Sequence, residues 1–348
     1  MVSEAWLATC ASTWGYNVPP SVSVIVVNWN GRAFLQKCLP SLAAQTYPSK
    51  DIIVVDNGSA DGSEAWLGEH FPEVRLIRNA QNLGFGAACN QGARVSSATY
   101  LAFLNNDAWA EPNWLAELVQ AAEMNDRIAM VASKMLFADQ PQVINSTGIC
   151  VDRFGISWDR QGGEVDVAPE ASPEVLGPCG GAALYRRAMF EELGGFDDTF
   201  FAYLEDVDLA MRARWRGWGA AYAPAARVYH AHSGTSKEGS RFKTYYLSRN
   251  KIYWIAKSYP MPHLLLYLPG MVFYEVLSQG YAVMRGQGLA ALRGRLAGWG
   301  ALPRLLGWRR CFLKDAPIPA GEVWGRLEPV RGPWGVFGRY RHISQRLD

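Results

Sequence analysis

Apolar, β-branched segments alternate with helical patterns over residues 22–107, and this alternation constrains the fold more than any other feature. The segments lie at 22–27, 52–55, 74–77 and 100–104. Between them, apolar residues recur at the spacing of amphipathic helices. Strands that alternate with helices predict an α/β fold with a doubly wound, mainly parallel sheet flanked by helices. Beyond residue 258 the pattern is helical, which predicts a C-terminal helical extension.

Polar clusters follow three of these strands, at the point where each strand ends. They occupy residues 28–30, 56–59 and 105–107. In open α/β sheets, ligands bind in the crevice outside the carboxyl ends of the strands. The sequence therefore predicts one ligand site that all three clusters line.

Asp107 ends the last of these clusters. A carboxylate there can hold a hard cation, because Mg²⁺ and Mn²⁺ commonly take one or two protein carboxylates together with substrate phosphates. An aspartate before Pro112 can equally cap a turn. Position alone leaves both interpretations open.

A second acidic cluster, of Glu205, Asp206 and Asp208, opens a predicted helix. Glu205 and Asp208 share a helical face, whereas Asp206 points elsewhere. A carboxylate can take a proton from an attacking hydroxyl. The alternative is a helix whose first turn is acidic because of the macrodipole, with Asp208 paired to Arg212.

Two histidines, His230 and His232, follow a predicted strand at 226–229 and share one of its faces. They are candidates for one metal ligand, with a structural role as the alternative. The glycine-containing stretch at 82–89 nearly matches a dinucleotide fingerprint, but it follows the third strand and has Cys89 in place of the last glycine. A tight helix start is therefore the preferred interpretation, with the helix N-terminus facing the bound ligand.

Composition excludes several classes of protein. The formal charge of +2 gives no indication of a nucleic-acid partner. The six cysteines form no CxxC pair, which argues against a zinc site and a disulfide framework. No signal peptide and no uninterrupted apolar run of membrane-spanning length is expected. The stretch 284–313 is basic and rich in Leu and Trp, which predicts interfacial helices on anionic lipid, or else a helical cap on the main domain.

Taken in order, these segments resemble family 2 glycosyltransferases of the GT-A fold, in particular the bacterial rhamnosyltransferase-like branch. The resemblance covers residues 22 to about 255 and is carried by VSVIVVNWNG, IIVVDNGSADGS, NLGFGAACNQG, YLAFLNNDAW, GGFDDTFFAYLEDVDLAMRARWRGW, VYHAHSGTS and YYLSRN. It implies a GT-A catalytic domain at 21–258, with a nucleotide-binding half at about 21–110 and an acceptor half at about 111–258. An N-terminal extension at 1–20 and a C-terminal helical, membrane-associating region at 259–348 complete the predicted organisation.

The resemblance also implies roles for individual residues. Asp206 would be the catalytic base, with Glu205 beside it. Asp107, the last residue of a DxD-like motif, and His230 would bind Mg²⁺ or Mn²⁺, with His232 as the substitute for His230. The nucleotide-sugar pocket would be lined by Asn28, Trp29, Asn30, Asp56, Asn57, Asn82, Gly84, Asn90, Asn106 and Arg249.

The implied activity is an inverting transfer of rhamnose or a similar sugar from a dTDP- or UDP-sugar to a glycan or lipid-linked acceptor in cell-surface polysaccharide synthesis. The implied location is cytoplasmic, at the inner face of the plasma membrane. Asn105 and Asn106 depart from the DxD pattern and leave one carboxylate. A non-catalytic nucleotide-sugar-binding partner and a sugar-phosphate nucleotidyltransferase are therefore kept as alternatives, and the misplaced glycine motif disfavours a dehydrogenase.

Overall fold

A computed structural model describes residues 19–167, 174–231, 240–261 and 263–330. His232 and nearly all of the predicted N-terminal extension lie outside these residues. Residues 22–105 contain, in chain order, β1 (Val22–Asn28), α1 (Arg32–Ala43), β2 (Lys50–Asp56), α2 (Ser63–His70), β3 (Arg75–Arg78), α3 (Phe85–Val95) and β4 (Tyr100–Asn105).

The rest of the chain is richer in strands at first and then helical. Its first part contains β5 (Ala108–Ala110), α4 (Trp114–Glu123), β6 (Ile128–Phe137), β7 (Ile144–Ser146), β8 (Ile149–Val151), β9 (Ser157–Asp159), β10 (Ala182–Arg186), α5 (Arg187–Glu192), α6 (Glu205–Trp215) and β11 (Gly219–His230). The C-terminal helices are α7 (Arg241–Ser258), α8 (His263–Met284), α9 (Gly288–Gly300), α10 (Leu302–Lys314) and α11 (Ala320–Gly325).

One large sheet organises the molecule, with the strand order β3-β2-β1-β4-β10-β6-β11-β5 and β7 paired to β6. The strands β3, β2, β1 and β4 are parallel, as predicted. In the other half β10 runs antiparallel to both of its neighbours, while β6 and β11 are parallel. The predicted α/β fold with a C-terminal helical extension is confirmed, and the second half of the sheet is more mixed than the sequence indicated.

The sheet buries a hydrophobic core on each face, because successive side chains of a strand point to opposite sides. In β1, Val24 and Val26 face the layer that contains α1 and α4. Ile25 faces the opposite layer, where Ala88 of α3 and Leu209 of α6 pack. This two-sided burial explains why the strands are almost continuously apolar.

β11 is longer than the predicted strand at 226–229. Its pairing with β6 shifts between Ala223 and Arg227, on either side of Pro224. Proline has no N–H for the ladder, so it is found in strands at irregularities of this kind. The interruption hid the first half of the strand from the sequence pattern. Among the helices that the structure describes, none combines the length and the apolar character needed to span a membrane.

Candidate active site

Hydrogen bonds join the polar ends of β2, β1 and β4. Asn28, fully buried, donates from Nδ2 to Oδ2 of Asp56 at 2.9 Å. Its Oδ1 accepts from Nδ2 of Asn106 at 2.8 Å. The parallel register brings this about, because Asn28 pairs directly with Asp56. The structure thus brings together three of the residues predicted to form the nucleotide pocket.

The turn after β1 leaves an aromatic ring at the rim of this network. Trp29 is 38% exposed, whereas Asn28 before it is fully buried. Asn30 has a φ of 50° and accepts from the backbone N–H of Ala60 at 2.8 Å, which fixes the turn. A Cβ on Gly31 would lie 2.0 Å from Nδ2 of Asn106 and 2.8 Å from Oδ1 of Asn28, so a larger residue would displace the hydrogen bond between these two amides. An exposed ring on a fixed turn is suited to stacking on a planar ligand.

A second set of contacts connects β2 to the start of α3. Asn57 donates from Nδ2 to Oδ1 of Asn82 at 3.0 Å and to the carbonyl of Gly84 at 3.1 Å. Oδ1 of Asn82 also accepts from the N–H of Gly84 at 2.9 Å. Gly84 has a φ of 93°, and a Cβ there would lie 2.6 Å from the carbonyl oxygen of Phe201. The glycine motif therefore allows close approach of the loop that precedes Glu205.

Asn90, which the sequence assigned to the pocket, is buried and holds the fold together. Its Nδ2 donates to the carbonyl of Phe196 at 2.8 Å and to Oδ1 of Asp198 at 2.6 Å. Its Oδ1 accepts from the N–H of Phe196 at 3.0 Å. Both ends of the amide are engaged within the protein, so these contacts lend no support to the predicted nucleotide role.

Arg249, assigned to phosphate by resemblance, also has internal partners. Its guanidinium donates to the carbonyls of Thr199 and Phe200, each at 2.7 Å, and lies over the ring of Tyr246. The fully buried Asn250 beside it donates to the carbonyls of Phe200, Ala202 and Tyr203 at 3.0, 2.8 and 2.7 Å. The two residues of α7 therefore hold the loop at 199–204.

That loop is strained and leads directly into the acidic helix. Phe201, Tyr203 and Leu204 have φ values of 64°, 69° and 65°, in the left-handed region that side chains with a Cβ disfavour. Such strain persists only where surrounding contacts determine the conformation, and it is concentrated at functional sites. Arg249 and Asn250 of α7 supply such contacts to this loop, immediately before Glu205.

The Glu205–Asp206 pair opens α6 in two different environments. Oε2 of Glu205 is buried and has no hydrogen-bond partner in the described part of the chain. Asp206 is partly exposed, and its Oδ2 accepts from the N–H of Gly180 at 2.9 Å. Its Oδ1 accepts from the N–H of Val207 at 2.8 Å. Backbone amides therefore fix the orientation of the Asp206 carboxylate.

Burial shifts the acidity of both carboxyl groups in the same direction. It raises the pKa of Glu205, and the negative charges of Asp206 and Asp208 raise that pKa further. Burial also raises the pKa of Asp206, with the charge of Asp159 adding to the effect, although the amides of Gly180 and Val207 oppose it. A carboxylate whose pKa is brought toward neutrality is a better proton acceptor at physiological pH.

Asp208 has the structural role that the sequence offered as an alternative. Its Oδ2 accepts from Nε of Arg212 at 2.7 Å, and Nζ of Lys257 lies 2.8 Å from its Oδ1. All three side chains are buried. Lys257 also pairs with Asp197 at 2.7 Å. This cluster anchors α6 to α7.

Asp107 and His230 lie side by side at the end of the sheet. Nε2 of His230 is 3.1 Å from Oδ1 of Asp107, because β5 pairs with the last residues of β11. Oδ1 of Asn145 lies 2.9 Å from Nδ1 of the same ring. These two contacts hold the ring in one orientation, with Nε2 directed at the Asp107 carboxylate.

The donor set fits a hard divalent cation. Adjacent ligands about 2.1 Å from an octahedral Mg²⁺ lie about 3 Å apart, close to the 3.1 Å between Nε2 of His230 and Oδ1 of Asp107. Within the described ranges no group of three His, Cys, Asp or Glu side chains is arranged to hold a metal ion. A cation at this pair would take its remaining ligands from donor phosphates and water.

Sequence reasoning missed Gly180, Asn145 and Asn250. The Gly180-Gly181 pair before β10 was the one available signal, since paired glycines often mark a close backbone approach. The carbonyl of Gly181 accepts from the N–H of Asn105 at 2.9 Å. Through these two glycines, Asp206 is connected to Asn105 at the end of β4, two residues before Asp107.

Residues 23–194 match the family model described as Glycosyl transferase family 2. This segment is a glycosyltransferase family 2 domain. The matched segment includes the predicted pocket residues from Asn28 to Asn106 and also Asp107, whereas Glu205, Asp206 and His230 lie beyond it.

Curated relatives agree with this assignment. The glycosyltransferase is 29% identical over 236 residues to N-acetylglucosaminyl-diphospho-decaprenol L-rhamnosyltransferase of Mycobacterium tuberculosis, which covers 60% of this chain and 76% of the relative. It is 29% identical over 229 residues to the O-antigen biosynthesis protein RfbC of Myxococcus xanthus, covering 63% of this chain and 18% of that protein.

The crystal structure of GalNAc-T7 with UDP, GalNAc and Mn²⁺ superposes with a TM-score of 0.53 at 18% identity. The superposition covers 68% of this chain and half of that one (50%). The GT-A fold, the glycosyltransferase activity and the rhamnosyltransferase-like resemblance predicted from the sequence are thus confirmed.

Proposed function

We propose that this glycosyltransferase moves a sugar, rhamnose or a similar hexose, from a nucleotide diphosphate donor to a hydroxyl group with inversion at the anomeric carbon. The observation that carries the proposal is the link through Gly180 and Gly181. It joins the Asp206 carboxylate to the end of β4, beside Asp107. A proton acceptor and a diphosphate site are thereby held at one edge of the sheet, as a single displacement requires.

Asp206 is the proposed base. The acceptor oxygen bonds to the anomeric carbon, the bond from that carbon to the diphosphate oxygen breaks, and Asp206 takes the hydroxyl proton. One displacement inverts the configuration. Positioned proton transfer of this kind contributes about 10²–10⁴-fold in rate. Glu205 lies beside this base, and its burial and the charge of Asp206 raise the pKa of Glu205.

The donor nucleotide occupies the pocket at the ends of β1, β2 and β4 in this proposal. Trp29 stacks on the base, and Asp56 accepts from the base or the ribose, held in place by Asn28 and Asn106. We propose a dTDP- or UDP-sugar as this donor. The name of the mycobacterial relative specifies rhamnose and a lipid diphosphate acceptor for that protein. By likeness to it, we assign rhamnose and a glycan or lipid-linked acceptor of cell-surface polysaccharide synthesis to this chain.

Asp107 and His230 are the residues that would hold Mg²⁺ or Mn²⁺. A divalent cation held there would neutralise the charge of the diphosphate leaving group. Asn145 keeps the ring of His230 turned toward Asp107. We further propose that residues 21–258 form the catalytic domain, and that residues 259–348 associate with the inner face of the plasma membrane.

Calorimetric titration of dTDP and UDP, each with and without Mn²⁺ or Mg²⁺, tests the donor site. We expect cation-dependent binding of one nucleotide that Asp107→Ala abolishes. Asp126→Ala removes an exposed carboxylate outside the site and should leave binding unchanged. If neither nucleotide binds with either cation, the donor assignment is wrong and the non-catalytic partner becomes the better interpretation. Equal binding without cation would refute the metal site alone.

A further inference from the structure

The outward face of α8 carries no charged residue over its whole length of 22 residues. Its exposed side chains are almost all apolar, and Ser278 is the one polar exception. They are Leu265, Leu266, Leu268, Pro269, Val272, Phe273, Val276, Ser278, Tyr281, Val283 and Met284. Solvent-facing helices normally carry charges on that side. An apolar face that runs along a whole exposed helix indicates an interaction surface.

The neighbouring helix α9, which contacts α8 through the Glu275–Arg295 ion pair, also exposes an apolar face. Leu289, Leu292, Leu296 and Trp299 recur at helical spacing and are exposed. The opposite side of α9 is fixed against α7, where a Cβ on Gly294 would lie 2.3 Å from the carbonyl oxygen of Tyr245. This contact determines which face of α9 points outward, so its apolar face has no partner in the described chain. We call the exposed apolar residues of α8 and α9 the α8–α9 face.

The charges around the α8–α9 face have a single sign. Glu275 is the one acidic residue between 263 and 314. It is paired internally with Lys251 at 2.8 Å and Arg295 at 2.7 Å. The remaining exposed charges of α8, α9, α10 and the loops between them are basic, namely Arg285, Arg293, Arg304, Arg310 and Lys314.

We propose that the α8–α9 face is a docking surface for an anionic lipid bilayer. Its leucines, valines and Trp299 enter the acyl boundary, while Arg285 and Arg293 meet headgroup phosphates. Charge complementarity selects the bilayer over a second copy of the chain. A symmetric dimer on this face would bring like charges together with no exposed acid to pair with them. The surface therefore includes α8, which the sequence pattern at 284–313 did not indicate.

The α8–α9 face is close to the strained loop that precedes the carboxylate pair. α7 lies between them. Its Tyr246 stacks on Phe201 at 5.2 Å between ring centroids, and its Tyr245 contacts Gly294 of α9. One helix, α7, therefore contacts both α9 and the loop that precedes Glu205. This part of the inference rests on the proposed function, because the bilayer would present a lipid-linked acceptor on the side of that loop.

Vesicle flotation of the full chain tests the surface. Phosphatidylcholine vesicles are compared with vesicles that also contain phosphatidylglycerol, at low and at high salt. We expect at least about 10-fold stronger binding to the anionic vesicles at low salt, and loss of that preference at high salt. The double variant Val272→Glu, Val276→Glu should lose vesicle binding at least about 10-fold. Arg285→Glu with Arg293→Glu should lose the anionic preference.

Matched controls place the same changes elsewhere. Met124→Glu puts a charge on an apolar side chain that is 70% exposed outside the α8–α9 face, and Arg94→Glu reverses an exposed arginine of α3. Both should bind vesicles as the unchanged chain does. Thermal unfolding and nucleotide affinity, measured on every variant, separate loss of docking from loss of folding.

Two results would overturn the bilayer assignment. One is failure of the unchanged chain to bind anionic vesicles at low salt. The other is a dimer in sedimentation velocity that Val272→Glu, Val276→Glu dissociates, with no vesicle binding by either protein. In both cases intact nucleotide binding would leave the proposed transferase function standing, whereas its absence in the unchanged chain would refute that function separately.

Discussion

The backbone N–H of Gly180 donates to Oδ2 of Asp206 at 2.9 Å, across 26 residues of sequence. Together with the N–H of Val207 on Oδ1, it holds both carboxylate oxygens in place. A base held by backbone groups needs little reorganisation when it takes a proton. The contact also fixes α6 relative to the end of β4, through Gly181 and Asn105.

Asp206→Asn removes the proposed base with a minimal change of shape. We expect kcat to fall by about 10²–10⁴-fold while nucleotide affinity is retained. The new side-chain N–H₂ group cannot accept a hydrogen bond from the backbone N–H that it faces, and this loss lowers stability. The melting temperature should therefore be measured together with the steady-state kinetics. Asp126→Asn makes the same replacement at an exposed position and should leave kcat unchanged. Full activity of Asp206→Asn would show that another group takes the proton.

Glu205→Gln should change how stability depends on pH. Burial raises the pKa of Glu205 above that of the unfolded chain. The folded state therefore keeps a proton that the unfolded state has lost, and stability falls as pH rises from the ordinary carboxyl range to the raised pKa. Glutamine cannot ionise, so the variant should gain at least about 1 kcal/mol relative to the unchanged chain between pH 5 and pH 8.

Urea unfolding at the two pH values measures this difference. Glu69→Gln, at an exposed position of α2, is the control and should follow the unchanged chain. Identical pH dependence for Glu205→Gln and the unchanged chain would mean that Glu205 ionises normally in the folded protein.

Asn145→Ala should weaken cation binding without removing a ligand. Its Oδ1 orients His230 through Nδ1, and loss of such an outer contact typically lowers metal affinity about 10- to 100-fold. Electron paramagnetic resonance of free Mn²⁺, titrated with protein and nucleotide, measures the affinity. Asn145→Asp keeps an oxygen acceptor and should preserve binding. Unchanged affinity in Asn145→Ala would exclude His230 as an oriented ligand.

Asn250→Ala should loosen the loop at 199–204. The buried amide donates to three carbonyls of that loop, and an unsatisfied buried polar group costs about 1–3 kcal/mol. We expect a stability loss of about 2–3 kcal/mol in urea unfolding, together with a lower kcat. Asn125→Ala, which removes an exposed amide that accepts one backbone N–H, should lose less than about 1 kcal/mol. Equal losses in the two variants would argue against loop anchoring.

Gly84→Ala should lower the stability of the protein, although it adds only one methyl group. The φ of 93° is strained for alanine, and the new Cβ would lie 2.6 Å from the carbonyl oxygen of Phe201. We expect a loss of about 1–3 kcal/mol. Gly68→Ala in α2 has open space around the Cβ and should stabilise the helix by up to about 1 kcal/mol. Thermal unfolding of both variants gives the comparison, and a stabilised Gly84→Ala would contradict the close approach.

The sequence by itself determined the strand–helix alternation, the parallel half of the sheet and the polar ends of its strands. These features depend on local periodicity and on turn residues, which are visible within a short stretch of chain. The same local information predicted the Asp208–Arg212 pair, four residues apart on one helix. It also located Asp107 and Asp206 as candidate groups for chemistry, because carboxylates at strand and helix ends have few local partners.

Only the tertiary structure decided which polar groups face the site and which hold the fold. Asn28 and Asn90 are both buried asparagines near a predicted pocket, yet the first joins the strand ends and the second binds a loop more than a hundred residues away. The contact from Gly180 to Asp206 and that from Asn145 to His230 likewise cross 26 and 85 residues. No periodic pattern encodes such separations, since they arise when distant strands and loops pack together.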